Sequence, residues 1–276
     1  MITRMISAGV RAFLVSMLIA LPALMLPGVA PDTTQIIALL SLLAALLTFV
    51  EYVSSYPSLI EFRDAPPFNR MRFIALLTTI LMLTLVSRGS TDPSALTDAV
   101  TGFGAQVGAM LDFPFSPVRL MLLILPQDAP LALQETLRIH AGLAYMIATS
   151  STVVVYLLIR YLVWPLRNGA FNFWVNLPLF DPTAGGDVLY RLRRDANINV
   201  ALGFLLPFLI PAVLKAASEL MNPIGFADPQ TMIWTITSWA FLPASLIMRG
   251  VALLRIADLI EEKRRRAYAQ AELQIA

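Results

Sequence analysis

Six stretches of the chain combine high hydrophobicity with an almost complete absence of charge. Each is close to the roughly 20 mostly apolar residues that a helix needs to cross the hydrocarbon of a bilayer. Backbone groups in lipid have no water to bond with, so such stretches must form helices. The spans cover approximately residues 12–31, 33–51, 72–88, 141–163, 197–219 and 230–253. The pattern therefore predicts an all-α polytopic membrane protein with a six-helix transmembrane bundle.

The composition agrees with this interpretation. Only 14% of the 276 residues are charged and 58% are hydrophobic, whereas soluble domains carry about 25% charged residues. Because the apolar stretches run almost from end to end, we treat residues 1–276 as a single membrane domain. The first stretch has an alternative interpretation: Arg4 and Arg11, an apolar run and the small residues 28–30 resemble a cleavable signal peptide.

The distribution of basic residues predicts the orientation, because short cytoplasmic loops carry an excess of Lys and Arg. With the N-terminus inside, 16 basic residues fall on the inner side and only Arg88, Arg119, Arg138 and Lys215 on the outer side. We expect both termini to be cytoplasmic. Arginine far outnumbers lysine, which is typical of a GC-rich, bacterial genome, so the expected location is a bacterial inner membrane.

Residues 89–140 form an outer, periplasmic subregion that we expect to contain short amphipathic helices. Asp92 and Pro93 are typical of a helix start. The residues that follow place an apolar stripe at helical spacing, which is a candidate partner-binding surface: Leu96, Val100, Phe103 and Val107. Gly104 and Gly108 on the same segment could permit a close helix contact. Ser116 and Pro117 begin a second helix that is too short to cross the bilayer.

The inner side contains a loop at residues 164–196 and a basic helical tail at residues 254–276. The loop has aromatic residues typical of headgroup depth, a turn at residues 181–186, and Asp187 as a helix cap. Basic residues on both segments could bind lipid headgroups or phosphate, although the positive-inside pattern explains them equally well: Arg191, Arg193, Arg194, Arg264, Arg265 and Arg266. In the tail, Glu261 with Arg265 and Glu262 with Arg266 have the spacing of helical ion pairs.

Polar residues within the spans are candidates for a transport pathway. Thr149, Ser150 and Thr152 lie at mid-membrane, and Lys215 with Glu219 lies near an outer end. Hydroxyls in spans more often bond to their own helix or to a neighbour, and the charged pair could be a local ion pair. Pro207 and Pro211 should kink the fifth span.

The sequence lacks the usual signs of catalysis. It has no cysteine and one histidine, His140, and no motif for nucleotide, zinc or a nucleophilic serine. We therefore expect no catalytic residue, no metal and no cofactor. The net charge of +2 gives no reason to expect nucleic acid. An intramembrane enzyme acting on a lipid at the inner leaflet is the weakest alternative, with acidic and basic candidates facing the headgroups: Glu61, Arg63 and Asp64, or Asp181 and Asp187.

Two other functions fit the sequence better. The first is a non-catalytic accessory, assembly or scaffold subunit of a larger membrane complex, with membrane lipids and other membrane protein subunits as partners. It requires the stripe at residues 96–107 to contact another chain. The second is a transporter or channel for a small solute or lipid, which requires a continuous polar cavity past residues 149–152, between Pro207 and the sixth span.

Overall fold

The computed structural model describes residues 2–162, 164–165, 171–181, 183, 185–220 and 225–275, without the side chains of residues 219, 220 and 273–275. The described residues form helices and no strand. The elements are α1 (Ile2–Met25), α2 (Pro31–Val53), α3 (Phe68–Gly89), α4 (Ala95–Leu111), α5 (Pro117–Leu122), α6 (Leu131–Tyr161), α7 (Phe173–Asn176), α8 (Val188–Leu220) and α9 (Pro229–Ile275).

Six of these helices are long and apolar enough to cross a membrane: α1, α2, α3, α6, α8 and α9. The prediction of a helical, multi-pass protein with six spans is therefore confirmed. The third span is longer than its charge-free window, because α3 begins before Arg70 and Arg72 and has 22 residues. At 1.5 Å per residue it is about 33 Å long, which matches the hydrocarbon thickness of about 30 Å.

The centre of the bundle is formed by α3, α6 and α9. Their fully buried residues include Leu83, Leu143, Ile236 and Trp239. The α1–α2 hairpin flanks this centre on one side, and α2 contacts α1 alone among the described helices. On the other side α8 packs along α9, so α2 and α8 are the most exposed spans. This exposure is what a lipid-facing helix requires.

Successive spans along the chain run in opposite directions, which places the connecting segments at two ends. The basic end, as we call it, contains the described parts of the connections at residues 54–67, 162, 164–165, 171–181, 183 and 185–187, with the adjoining helix termini. By sequence position this end carries 16 basic and 10 acidic residues. The acidic end contains residues 26–30, 90–130 and 225–228, with the adjoining helix termini, and by sequence position carries 4 basic and 8 acidic residues.

Two glycines bring α8 and α9 into close contact. A Cβ atom on Gly203 would lie 2.5 Å from the Pro243 carbonyl oxygen, and one on Gly250 would lie 2.7 Å from the Ala196 carbonyl oxygen. Beyond the Gly203 contact, farther from Gly250, the Trp239 indole N–H donates to the Pro207 carbonyl at 3.0 Å. Pro211 has no N–H to bond that carbonyl within the helix, so the indole replaces the hydrogen bond that the proline removes.

The helix starts at the acidic end differ in part from the predicted ones. The cap of α4 is Ser94, not Asp92: the Ser94 hydroxyl accepts from the Thr97 N–H while the Thr97 hydroxyl accepts from the Ser94 N–H. Asp92 instead pairs with Arg88 at 2.5 Å. The predicted start of α5 at Ser116 and Pro117 is correct. The 31-residue helix α6 starts after Pro130 and continues without a break into the fourth span.

Candidate functional site

Helix α4 packs on α6 through two of its glycines, Gly104 and Gly108. A Cβ atom on Gly104 would lie 2.8 Å from side-chain atoms of Ile139 and Leu143. One on Gly142 of α6 would lie 2.5 Å from the Cα atom of Gly108. Only glycine permits backbones to approach this closely. The GxxxG pair therefore brings α4 into close contact with α6, while α4 also packs against α3.

The predicted stripe on α4 is divided by this contact. Val107 is buried and Val100 packs against the core from a half-buried position. Leu96 and Phe103, by contrast, are 60% and 51% exposed, and Met110, seven residues after Phe103, is 69% exposed. Residues seven apart share a helix face. An apolar ledge formed by Leu96, Phe103 and Met110 thus runs along the edge of the α4–α6 contact, and we call it the α4 ledge.

The charges near the α4 ledge are acidic or already paired. Helix α4 has no Lys or Arg, and Asp98 is its only charged residue. At its end the Asp112 carboxylate lies 2.7 Å from Arg119 and 3.6 Å from Arg138. The two basic side chains closest to the end of α4 are therefore neutralised locally.

Residues 54–67 at the basic end are held by buried polar side chains. The Glu51 carboxylate accepts hydrogen bonds from the backbone N–H groups of Ser58, Leu59 and Ile60 at 2.9–3.0 Å, and from the Ser58 hydroxyl. Because α2 ends at Val53, this carboxylate lies within its last turn and folds the following segment back onto the helix. We call residues 54–67 the carboxylate-anchored loop.

Two further side chains, Arg63 and Asn176, form hydrogen bonds with backbone groups in and beside this loop. Arg63 donates to the carbonyl groups of Glu51, Ser54 and Ser55, which α2 leaves without helical partners. Asn176 of α7 accepts from the Asp64 N–H through its side chain and from the Phe62 N–H through its carbonyl. Phe62 is fully buried with a φ of 54°, a conformation that needs such support in a non-glycine residue.

A charged cluster joins this loop to the central helices. Arg249 of α9 donates two hydrogen bonds to the Glu61 carboxylate, at 2.6 and 2.8 Å. Arg72 of α3 donates to the Ser245 hydroxyl at 2.5 Å. A two-pronged arginine–carboxylate pair fixes orientation as well as distance. The cluster therefore locks α3, α9 and the carboxylate-anchored loop together.

The candidate groups for an enzyme do not form one reactive site. Glu61 is paired with Arg249, and the Arg63 guanidinium is occupied by carbonyl groups. The Asp64 side chain is 62% exposed. Asp187 caps α8 through the Leu189 N–H, and the hydrogen bond from Arg264 holds its pKa below the ordinary value. Each group has a structural partner, and no three His, Asp or Glu side chains of the described chain share a possible metal site.

The six predicted headgroup-binding arginines are dispersed. Arg193 pairs with Glu261 at 2.5 Å, so Glu261 does not form the predicted pair with Arg265. Arg264 pairs with Asp187 at 3.0 Å, and Arg266 with Glu262 at 3.5 Å, as predicted. Arg194 and Arg265 are exposed. Arg191 lies over the Phe180 ring, 4.9 Å from its centroid.

The predicted pathway residues do not line a polar channel within the described structure. Thr149 and Thr152 donate to carbonyl groups of α6 itself, and Thr149 and Ser150 are on the exposed surface of the bundle. The space between Pro207 and α9 is occupied by the Trp239 ring. The Glu219 side chain lies outside the described residues. Lys215 interacts with a neighbouring group, and Asp112 pairs with Arg119 and Arg138.

The structure contains one buried polar pair, His140 with Ser87, that the sequence did not indicate. His140 is fully buried, and its Nδ1 atom lies 2.8 Å from the Thr136 carbonyl oxygen. A carbonyl only accepts, so Nδ1 carries the proton and Nε2 accepts from the Ser87 hydroxyl at 2.9 Å. Such a Ser–His pair resembles an activated serine. Burial of both groups makes it a polar link between α3 and α6 in this conformation.

Comparison of the chain with protein-family models, with curated proteins and with solved structures gives no match.

Proposed function

We propose that this protein is a non-catalytic assembly or scaffold subunit of a larger membrane complex, and that the α4 ledge binds a neighbouring membrane protein subunit. The observation that carries the proposal is the exposure of Leu96, Phe103 and Met110 at the edge of a glycine-fixed helix. An apolar surface presented on a rigid support is typical of a protein interface.

The charge pattern favours a protein partner over bare lipid for this surface. Helices that lie on a lipid surface usually carry Lys and Arg on their polar face. Helix α4 has neither, and Asp98 is in its first turn. A helix of this composition gains nothing from anionic headgroups, whereas an apolar partner helix would cover the ledge and the adjoining surface of α6 together.

The remaining chemistry supports a structural role. The buried carboxylates and arginines at the basic end are used for hydrogen bonds within the protein, and the mid-membrane threonines bond to their own helix. In the same proposal the basic end faces the cytoplasm of a bacterial cell, with both termini inside, because the basic residues are concentrated there.

The absence of cysteine permits a direct test with single-cysteine variants. Phe103→Cys, modified with a benzophenone photo-crosslinker in native membranes, should give an adduct of one defined protein mass. The matched control is Ala109→Cys, which is also exposed and lies six residues, or about 120°, away around the same helix. We expect several-fold less adduct from the control.

Lipid adducts alone at residue 103, or equal protein adducts at both positions, would refute the proposal. A second variant separates binding from folding. Phe103→Glu places a charge on an exposed site, so the monomer should keep its stability while the complex dissociates. For the transporter alternative, a cysteine at Thr149 should react with a water-soluble maleimide in intact vesicles, and under our proposal it stays unreactive.

A further inference from the structure

A second surface with binding character lies at the basic end, independent of the α4 ledge. A groove of about 120 Å³ opens between the aromatic residues Phe171 and Phe173 and the apolar residues Leu259 and Ile260 of α9, with Lys263 at its edge. Ligand sites for whole small molecules usually exceed about 300 Å³. This groove can therefore hold a segment of an apolar chain rather than a complete ligand.

The charge at the groove edge is available for a ligand. Lys263 forms no ion pair with any carboxylate of the described residues, whereas its neighbour Arg264 and the nearby Arg266 are both paired. The groove itself is apolar, so an occupant should combine an apolar segment with a negative group at one end.

A second cation, Arg191, lies at the far end of a row of three rings formed by Phe171, Phe173 and Phe180, which we call the aromatic wall. The rings of Phe171 and Phe173 are 5.2 Å apart, those of Phe173 and Phe180 are 6.0 Å apart, and the Arg191 guanidinium covers Phe180. The Nε and Nη2 atoms of Arg191 are shielded from solvent without a hydrogen-bond acceptor among the described residues. Two cations thus border the same row of rings and raise the local positive potential.

The surroundings indicate a membrane surface. Trp174 and Tyr190, beside the aromatic wall, are 53% and 69% exposed. Exposed Trp and Tyr are enriched where a protein meets lipid headgroups. A groove at that depth has acyl chains and phosphate groups as its nearest neighbours.

We propose that this groove holds one acyl chain of an anionic membrane phospholipid, with the lipid phosphate on Lys263. The apolar walls take a segment of the chain, and the rest of the chain continues into the bilayer. The site would tie the carboxyl-terminal part of α9 to the membrane surface through a specific lipid.

The test uses the full chain in mild detergent and native mass spectrometry. The probes are phosphatidylglycerol, phosphatidylcholine with the same acyl chains, and glycerol phosphate. Wild-type protein should retain one phosphatidylglycerol at concentrations where it retains neither of the others. Lys263→Gln should weaken this binding about fivefold, the effect of one basic residue near the phosphate. Arg265→Gln removes the same charge from the same helix outside the groove and should have no effect.

Filling the groove gives an independent readout. Leu259→Trp should abolish retention of the lipid, while Leu259→Met, which conserves volume, should keep it. Retention by Leu259→Trp, equal weakening by Lys263→Gln and Arg265→Gln, or equal binding of phosphatidylcholine or glycerol phosphate would each overturn the proposal. The α4 crosslinking result has no bearing on these outcomes, so the two proposals fail separately.

Discussion

The two ends of the bundle organise their connecting segments by opposite means. At the basic end, polar groups of Glu51, Arg63 and Asn176 bind backbone groups of the carboxylate-anchored loop. At the acidic end, the connecting helix is positioned by missing side chains, because Gly104, Gly108 and Gly142 let α4 lie directly on α6.

This difference shows where the protein has unused binding capacity. A loop whose polar groups are satisfied internally contributes to stability and offers little to a partner. A helix fixed by one narrow face keeps the rest of its apolar surface free, as Leu96, Phe103 and Met110 illustrate. We therefore expect mutations at the basic end to change folding stability, and mutations of the α4 ledge to change association.

The largest expected effect is at Glu51. Glu51→Ala leaves three backbone N–H groups without their acceptor, and the free energy of unfolding should fall by about 3–5 kcal/mol. Denaturant-induced unfolding in detergent micelles measures this change. Phe103→Ala, on the exposed ledge, should change it by less than about 0.5 kcal/mol.

Glu262→Ala provides a matched control for the loss of a carboxylate. Its only described ion pair is the exposed one with Arg266, and such pairs contribute roughly 0–1 kcal/mol. If Glu51→Ala were as stable as this control, the carboxylate would not organise the loop, and the contrast between the two ends would be lost.

The next effect concerns the glycine contact at the acidic end. Gly142→Ala adds a Cβ atom 2.5 Å from a backbone atom of α4, so α4 must move, and we expect a loss of about 1–3 kcal/mol. Gly102→Ala on α4 adds the same methyl group where nothing lies within 4 Å. Since alanine favours a helix over glycine by up to about 1 kcal/mol, this control should be neutral or slightly stabilising.

Crosslinking at residue 103 in the Gly142→Ala background shows whether α4 is displaced. If α4 is displaced in Gly142→Ala, the defined protein adduct at Phe103→Cys should decrease even though the ledge residues are intact. Equal stability of Gly142→Ala and Gly102→Ala would show that the close contact is not what fixes α4.

Most of the fold followed from the sequence because lipid imposes a simple rule on it. Charge-free stretches of about 15 to 20 residues predicted all six spans. The helix start at Ser116 and the cap at Asp187 were also predicted correctly. The start of α4 was misplaced because Asp92 and Ser94 are both good capping residues. Only the reciprocal bonds between Ser94 and Thr97 decide between them.

The side-chain networks could not be predicted in the same way. Nothing in the sequence around Glu51 indicates that its carboxylate binds the backbone of residues 58–60. The Glu61–Arg249 pair joins residues 188 positions apart, and sequence spacing carries no information about such contacts. The predicted fourth span begins at residue 141, just after His140, whereas α6 begins at Leu131 and places His140 within the helix. The α4 ledge was half predicted: periodicity identified the apolar arc, but only packing shows which part remains exposed.

The smallest predicted effect concerns the hydrogen bond between Trp239 of α9 and Pro207 of α8. The Trp239 indole donates to the Pro207 carbonyl that Pro211 leaves free, so this hydrogen bond links α8 to α9. Trp239→Phe should cost about 1 kcal/mol for the lost bond, in addition to any packing change. Pro211→Ala restores a backbone N–H for the same carbonyl, so the loss of the indole bond should cost much less in that background.

A double-mutant cycle isolates the free energy of this bond, because packing changes common to both backgrounds cancel. A coupling energy of about 1 kcal/mol would establish this link. A value near zero would show that the indole does not replace the hydrogen bond that Pro211 removes.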